Sequence, residues 1–289
     1  MSAIEIGSVG GPILMAEPAQ RRSARILLRS PAVWIFGALV FIALFGRLLA
    51  PYGGTEIIDG TDLQAPSLHH LFGTDANSMD VLSRVLYGAR PDLLLALASA
   101  AIAATVGSLL GLLAAFVGSW VDPILQRVSE VILAFPVLIF AMAALIAIGT
   151  TLANLTLVIA FVNIPVYFRI VRSIVLPMRQ AEFVDAARVA GNSTTSILLR
   201  HLAPNLWAPV MAQFTVNFAW AIQLLAGLSF LGLGVHLPDP EWGLMVQQGA
   251  PFVVAGKWWV AFFPGLAIFV AVLALTRIGA LIESIARIS

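Results

Sequence analysis

The chain has 289 residues, of which 60% are hydrophobic and only 11% charged, with a formal net charge of +1. A soluble domain normally carries about 25% charged residues, so composition sets aside a soluble enzyme or a nucleic-acid partner and points to a membrane-embedded chain. There are no cysteines, hence no disulfide framework, thiolate nucleophile or thiolate metal site.

The first 30 residues hold Arg21, Arg22, Arg25 and Arg29 ahead of an apolar run that is uncharged from Ser30 to Phe45 and continues past Arg47 to Ala50. A cleaved signal peptide has an apolar stretch of about 7–15 residues ending in small residues. This run is longer and lacks that ending, so it reads as a retained first span behind an amino-terminal segment, 1–30. A helix crosses the hydrocarbon layer with about 20 residues. On that measure a transmembrane domain over 31–289 holds six spans, at about 32–50, 93–118, 130–149, 151–170, 207–231 and 259–280. The predicted fold is therefore an all-α integral membrane protein with six transmembrane helices. Val131 to Phe168 is uncharged and too long for one crossing, so Gly149, Thr150 and Thr151 are expected to turn it into a hairpin, with Pro136 and Pro165 as candidate kinks.

Orientation follows from the Lys/Arg bias of the loops. With the amino terminus inside, the inner side receives 12 arginines, among them Arg127, Arg169, Arg172 and Arg179, while the outer side keeps Arg47, Arg84, Arg90 and Lys257. Both termini are thus predicted to be cytoplasmic. In the long outer segment 51–92, Val81, Leu82, Val85 and Leu86 share a helical face with Asp80, Ser83 and Arg84 off it. That pattern predicts a helix lying along the membrane surface.

The inner loop between the fourth and fifth spans reads as helix, glycine break, helix, then proline. Glu182 to Ala190 are good helix formers in which Asp185 and Arg188 can pair. Gly191 can adopt the left-handed conformation that ends a helix. Asn192, Ser193 or Thr194 can cap the next, and Pro204 is expected to stop or kink it. Asp185-Ala186-Ala187, Gly191 four residues on, and His201 with Pro204 beyond resemble the "EAA" loop of bacterial ABC importer permeases. The usual glutamate is Asp185 here, which keeps the charge. Three further stretches are similar to the dipeptide/oligopeptide/nickel branch, and to its second permease in particular. They are His70-Leu-Phe-Gly-Thr-Asp75 with Asp80 through Arg90, Leu228 through Gly234 with Pro238, Pro240 and Trp242, and Phe263-Pro-Gly-Leu-Ala267. Two departures stand out: Ser78-Met79-Asp80 replaces the usual Gly-Arg-Asp, and the usual acidic, proline-ended carboxyl terminus is absent.

The resemblance implies that Glu182, Asp185, Ala186, Ala187, Gly191, His201 and Pro204 couple the chain to a separate ATPase through coupling helices in this loop. It also implies a complex in the bacterial inner membrane with a homologous permease, two ATP-binding subunits and an extracytoplasmic solute-binding protein. ATP and its magnesium ion would sit on the ATPase subunits, with no cofactor in this chain. The residues agree. A phosphate-cradling loop needs Gly-x4-Gly-Lys-Ser/Thr, and Gly256-Lys257-Trp258 has neither the spacing nor the hydroxyl. His69 and His70 are adjacent rather than one turn apart, a poor metal pair. The spans hold almost no ionisable groups beyond Glu130, which disfavours an ion-coupled carrier.

Gln213 and Asn217 form one stripe on the fifth span with Gln223 close by, and Asn163 lies on the fourth. These are candidate pathway residues, with hydrogen bonding to neighbouring helices as the competing role. Gly107, Gly111 and the alanines at 100, 103 and 104 form a small-residue face on the second span. Short peptides are the expected cargo, with nickel complexes, glutathione-like peptides or opines as alternatives. An ion-coupled carrier and a non-transporting scaffold remain as other classes.

Overall fold

A computed structural model describes residues 30–286, and the arginine-rich 1–29 and the last three residues lie outside them. The described residues form helices and loops with no strand. In chain order these are α1 (Pro31–Leu49), α2 (Val81–Val117), α3 (Val121–Ala134), α4 (Val137–Ile148), α5 (Leu152–Met178), α6 (Glu182–Val189), α7 (Thr194–Ile197), a π-helical turn (Leu198–Leu202), α8 (Ala203–Phe230), α9 (Trp242–Val253) and α10 (Trp259–Ala286). Among them α1, α2, α5, α8 and α10 are long and apolar enough to cross a membrane, and α3 with α4 forms a sixth, bent candidate.

That bent pair takes in more of the chain than the third span expected at 130–149, and its bend falls at the candidate kink Pro136. The two helices meet at 95°, because Pro136 has no N–H to donate and its ring clashes with the carbonyl one turn back. Phe135 is driven to an extended conformation, φ −89° and ψ 143°, which a following proline favours. Pro165 has no such effect, since α5 runs on through it. The chain leaves helical geometry again at Gly149, and α5 begins behind a Thr151 cap whose hydroxyl accepts from Asn154 N at 3.2 Å.

The central seam is α2 against α5, the most extensive helix pair in the structure. In a bilayer there is no hydrophobic drive between apolar helices, so close van der Waals packing has to hold them. Here the small face of α2 supplies it. A Cβ built on Gly107 would stand 2.6 Å from Ile164 O, and one on Gly111 2.7 Å from Phe168 O. Ala100, Ala103 and Ala104 are buried along the same helix. The core then extends through α4, α5 and α8, where Leu145, Leu155, Ile159, Ile222, Leu225 and Leu228 are fully enclosed, and reaches α10 at Ala271 and Leu275.

At 37 residues, about 55 Å at 1.5 Å per residue, α2 is far longer than the roughly 30 Å hydrocarbon core. Its first turns are the stretch expected to lie flat on the membrane as a separate helix. Instead they continue straight into the span, and of the expected apolar face only Val81 is fully buried. Asp80, Ser83 and Arg84 are buried, whereas Leu82, Val85 and Leu86 are half-buried. The polar side chains turn inward because each finds a partner there, as described below.

Gly107→Val is expected to force α2 and α5 apart, since the added carbons overlap backbone rather than a movable side chain. The cost should be about 1–3 kcal/mol, read as a lowered thermal midpoint and reduced yield of the folded protein in detergent.

Candidate functional site

Two polar assemblies occupy the two ends of the bundle. The first surrounds the loop that follows α5. Helix α6 closes at Gly191, whose φ of +78° is open to glycine without a Cβ penalty. Asn192 N donates to Ala187 O at 3.1 Å, the bond that wraps a helix end around a left-handed residue. Asn192 Nδ2 reaches the same carbonyl at 3.1 Å. Ser193 Oγ then accepts from Ser196 N at 3.3 Å to start α7. Of the stop or kink expected at Pro204, the stop does not occur. The π-helical turn carries helical backbone from α7 directly into α8, with Ala203 N donating to Leu198 O, and Pro204 follows as the second residue of α8.

This knob is seated. Val184, Ala187, Ile197 and Leu202 are buried against Leu112 and Ala115 of α2 and Val171 and Val175 of α5. Of the predicted coupling residues, Ala187 faces inward, while Glu182, Asp185, Ala186, Gly191 and Pro204 are exposed. The side chains of His201 and Arg188 lie outside the described residues. Two exposed apolar residues, Phe183 and Val189 (91% exposed), were not singled out from the sequence. Their signal is an apolar pair on the outward face of an otherwise polar loop helix.

Below the knob, a polar clamp ties α5 to α2 and α3. Arg172 forks onto Asp122, with Nη2 to Oδ2 at 2.7 Å and Nε to Oδ1. Arg179 Nη1 donates to Ala115 O at 3.0 Å and Phe116 O at 3.2 Å, satisfying carbonyls at the end of α2 that have no partner within the helix. Asp122 is not a residue that spacing could have flagged, because its partner is 50 positions away.

The second assembly caps the opposite end. Asp80 accepts from Ser83 N at 2.8 Å as the α2 cap and holds His70 Nδ1 at 3.0 Å. Arg84, 0% exposed, places Nε 3.5 Å from Asp75 Oδ2 and turns Nη1 toward Met79 Sδ and Pro238 O. Ser78, where the resembling family has glycine, takes a φ of +57°. Trp242 donates from Nε1 to Val85 O and from its backbone N to Asp92 Oδ2, each at 2.9 Å. Glu241 caps α9 through Gly243 N and Leu244 N, at 2.9 and 2.7 Å. Its carboxyl lies close to that of Asp92. Burial pushes the Glu241 pKa up, against the pull of the two amides. Trp259 Nε1 donates to Thr74 O at 3.1 Å, and Phe72 stacks on Phe263 at 3.9 Å. Loop 50–80, the start of α2, α9 and the start of α10 are thereby one unit. Among the described residues there is no group of three metal-ligating side chains.

Residues 107–287 match the family of binding-protein-dependent transport system inner membrane components. The chain belongs to that family. It is 38% identical to the dipeptide transport system permease protein DppC of Alkalihalophilus pseudofirmus over 85% of this chain and 80% of that one. It is equally 38% identical to the di/tripeptide transport system permease protein DppC of Pseudomonas aeruginosa, over 83% of this chain and 81% of the other. The glutathione transport system permease protein GsiD of Escherichia coli is also 38% identical, over 90% and 86%. The protein is a multi-pass permease subunit of a binding-protein-dependent ABC importer in the bacterial inner membrane.

The permease holds its candidate pathway residues in different settings. Gln213 Nε2 donates to Asn217 Oδ1 at 2.9 Å. Asn217 is buried, with the Tyr167 hydroxyl of α5 beside it. Asn163 is also buried, and its Nδ2 donates to Ile159 O at 3.1 Å within α5. Gln213 is half-buried and Gln223 exposed.

Asp122→Arg is expected to cost the permease about 1.5–3 kcal/mol, the worth of hydrogen bonds to a charged group. The swap Asp122→Arg/Arg172→Asp should recover part of it, which a double-mutant cycle of thermal midpoints would show. For Glu241 the sign follows from its raised pKa. The folded state binds a proton more tightly than the unfolded chain, so this contribution is complete below the ordinary value of 4.5 and is lost as pH rises through the folded value. The thermal midpoint should therefore fall with rising pH over that window, and Glu241→Gln should flatten the dependence.

Proposed function

We propose that this permease imports short peptides, forming the membrane path together with a second, homologous permease and taking its energy from two ATPase subunits. In this reading the chain crosses the membrane six times, within a domain spanning 31–289 and with 1–30 inside. Both termini are cytoplasmic, and α3 and α4 together make the third crossing. The twelve-to-four distribution of Lys and Arg supports that orientation. The knob at 182–204 then faces the cytoplasm, and the cap built on loop 50–80 and α9 faces the solute-binding protein.

The observation that carries the reading is the two-sided character of α6. Val184 and Ala187 anchor it to the ends of α2 and α5, while Glu182, Phe183, Asp185, Ala186 and Val189 project from the molecule. An outward face with three apolar and two acidic residues suits insertion into a groove on a partner, apolar anchors giving affinity and charge setting register. Gly191, His201 and Pro204 shape the rest of the coupling element. ATP-driven closure of the ATPase pair would push on this knob, and the Arg172–Asp122 and Arg179 contacts would pass the movement into α5, α2 and α3. The chain itself hydrolyses nothing.

Cargo class rests on the relatives, whose names give dipeptide, di/tripeptide and glutathione transport. On the path we place Gln223 at the surface and Gln213 behind it, held by Asn217, with Asn163 supporting from α5. Uncharged amides of this kind can hydrogen-bond a peptide backbone without holding it by charge.

Replacing Asp185 with Lys is expected to reduce co-purification of the ATPase subunits about tenfold, since it reverses a contact worth roughly 1.4 kcal/mol or more. Labelled dipeptide uptake into vesicles carrying the whole transporter should fall in step. Full ATPase recovery with the variant would refute the docking role, and uptake of nickel but not dipeptide by the unaltered complex would refute the cargo.

A further inference from the structure

Two cavities share a wall at Arg90 and Leu94. One, of about 490 Å³, lies among the end of α1, the start of α2 and the loop before α9, and Arg47, Tyr87 and Asp239 contribute to its lining. The other, of about 500 Å³, is a groove between α1, α2, α8 and α10 lined by side chains such as Val40, Leu44, Leu97, Phe218 and Leu275. Both volumes fall in the range of about 300–1,000 Å³ common for ligand sites. An apolar groove bordered by helices that belong in the bilayer thus ends on a guanidinium.

Arg47 and Arg90 are both exposed. Arg47 stands over the Tyr87 ring at 5.9 Å, and neither arginine is in an ion pair among the described residues. Asp239 is the single acid in the lining of their pocket. Two cations with one carboxylate leave a site short of negative charge. A peptide in transit does not fit the groove, because its amides would meet no hydrogen-bonding partners there. A helix of another subunit would fill the apolar part but would strand two guanidinium groups. An anionic phospholipid satisfies both halves, with its phosphate bridging the arginines and an acyl chain in the groove.

We propose that the Arg47–Arg90 pocket and the groove below it form a binding site for one anionic phospholipid. The assignment to the outer leaflet rests on the orientation proposed above, but the pairing of headgroup and chain does not. A cationic choline headgroup is disfavoured by the same two arginines, so the site should select phosphatidylglycerol over phosphatidylcholine.

The whole transporter, exchanged into mixed phosphatidylglycerol and phosphatidylcholine vesicles and then purified in mild detergent, provides the test, with retained lipids counted by mass spectrometry. Phosphatidylglycerol should be enriched on the complex. Arg47→Gln/Arg90→Gln should lower its retention about tenfold or more, since both charge-assisted contacts are lost, with phosphatidylcholine unchanged. Arg47→Lys/Arg90→Lys should keep most of it, and Val40→Trp, which fills the groove and leaves both charges, should lower it as well. Retention unaffected by the Gln and Trp variants overturns the site. Displacement by inorganic phosphate makes it a free-anion pocket and overturns the lipid. A single cysteine at Leu97 that crosslinks to the second permease, in a chain with no cysteine of its own, gives the groove to that subunit instead. ATPase co-purification is read in the same preparations, so a failure of assembly is separable from a failure of lipid binding.

Discussion

Along the seam between α2 and α5, two glycines let one helix backbone rest against the other. Gly107 and Gly111 meet the carbonyls of Ile164 and Phe168 at distances that leave no room for a side chain. Lipid tails are as apolar as leucine, so burial alone does not favour this pairing. Many short van der Waals contacts along an uninterrupted face do. Because α2 is long enough to outrun the hydrocarbon layer, the same rigid rod reaches both polar assemblies. Its amino end is locked into the cap by Asp80 and Arg84, and its carboxyl end accepts Arg179.

Both assemblies use buried or half-buried charge, which is expensive in a low-dielectric setting unless every group is paired. The pairings cross long stretches of sequence: Arg172 with Asp122, Trp242 with Asp92, Trp259 with the Thr74 carbonyl. Such contacts add little net stability compared with a well-packed apolar cluster. What they supply is register, because a slipped arrangement would leave a desolvated ion or amide without a partner. A transporter that converts a push on one surface into movement elsewhere needs that kind of definition at the ends of its levers. The Asp122–Arg172 fork and the Arg179 cap lie directly behind the seat of the α6 knob.

The bend at Pro136 gives the fold a different property. Here α3 and α4 are joined by two non-helical residues, Phe135 and Pro136, rather than by a continuous ladder of hydrogen bonds, so their relative angle is set by what they pack against. Pro165 in α5 is held straight by the seam with α2. The same residue type thus breaks one helix and is absorbed in another, and neighbouring packing decides which.

Much was determined by the amino-acid sequence alone. Long uncharged runs in an 11% charged chain require helices in lipid, since every backbone group must then be satisfied within its own segment. The Asp185-Ala186-Ala187 and Gly191 spacing marked the loop whose glycine does take the left-handed turn, because capping is a local matter settled within a few residues. Tertiary structure alone decided what depends on distant partners. It turned Asp80, Ser83 and Arg84 inward and left Leu82 and Leu86 half-exposed, against the periodicity of that stretch. It carried α7 through a π turn into α8 past Pro204, and it paired Asp122 with Arg172. A helical pattern reports which residues share a face, but it does not say which face meets a buried counter-charge brought there by another part of the chain.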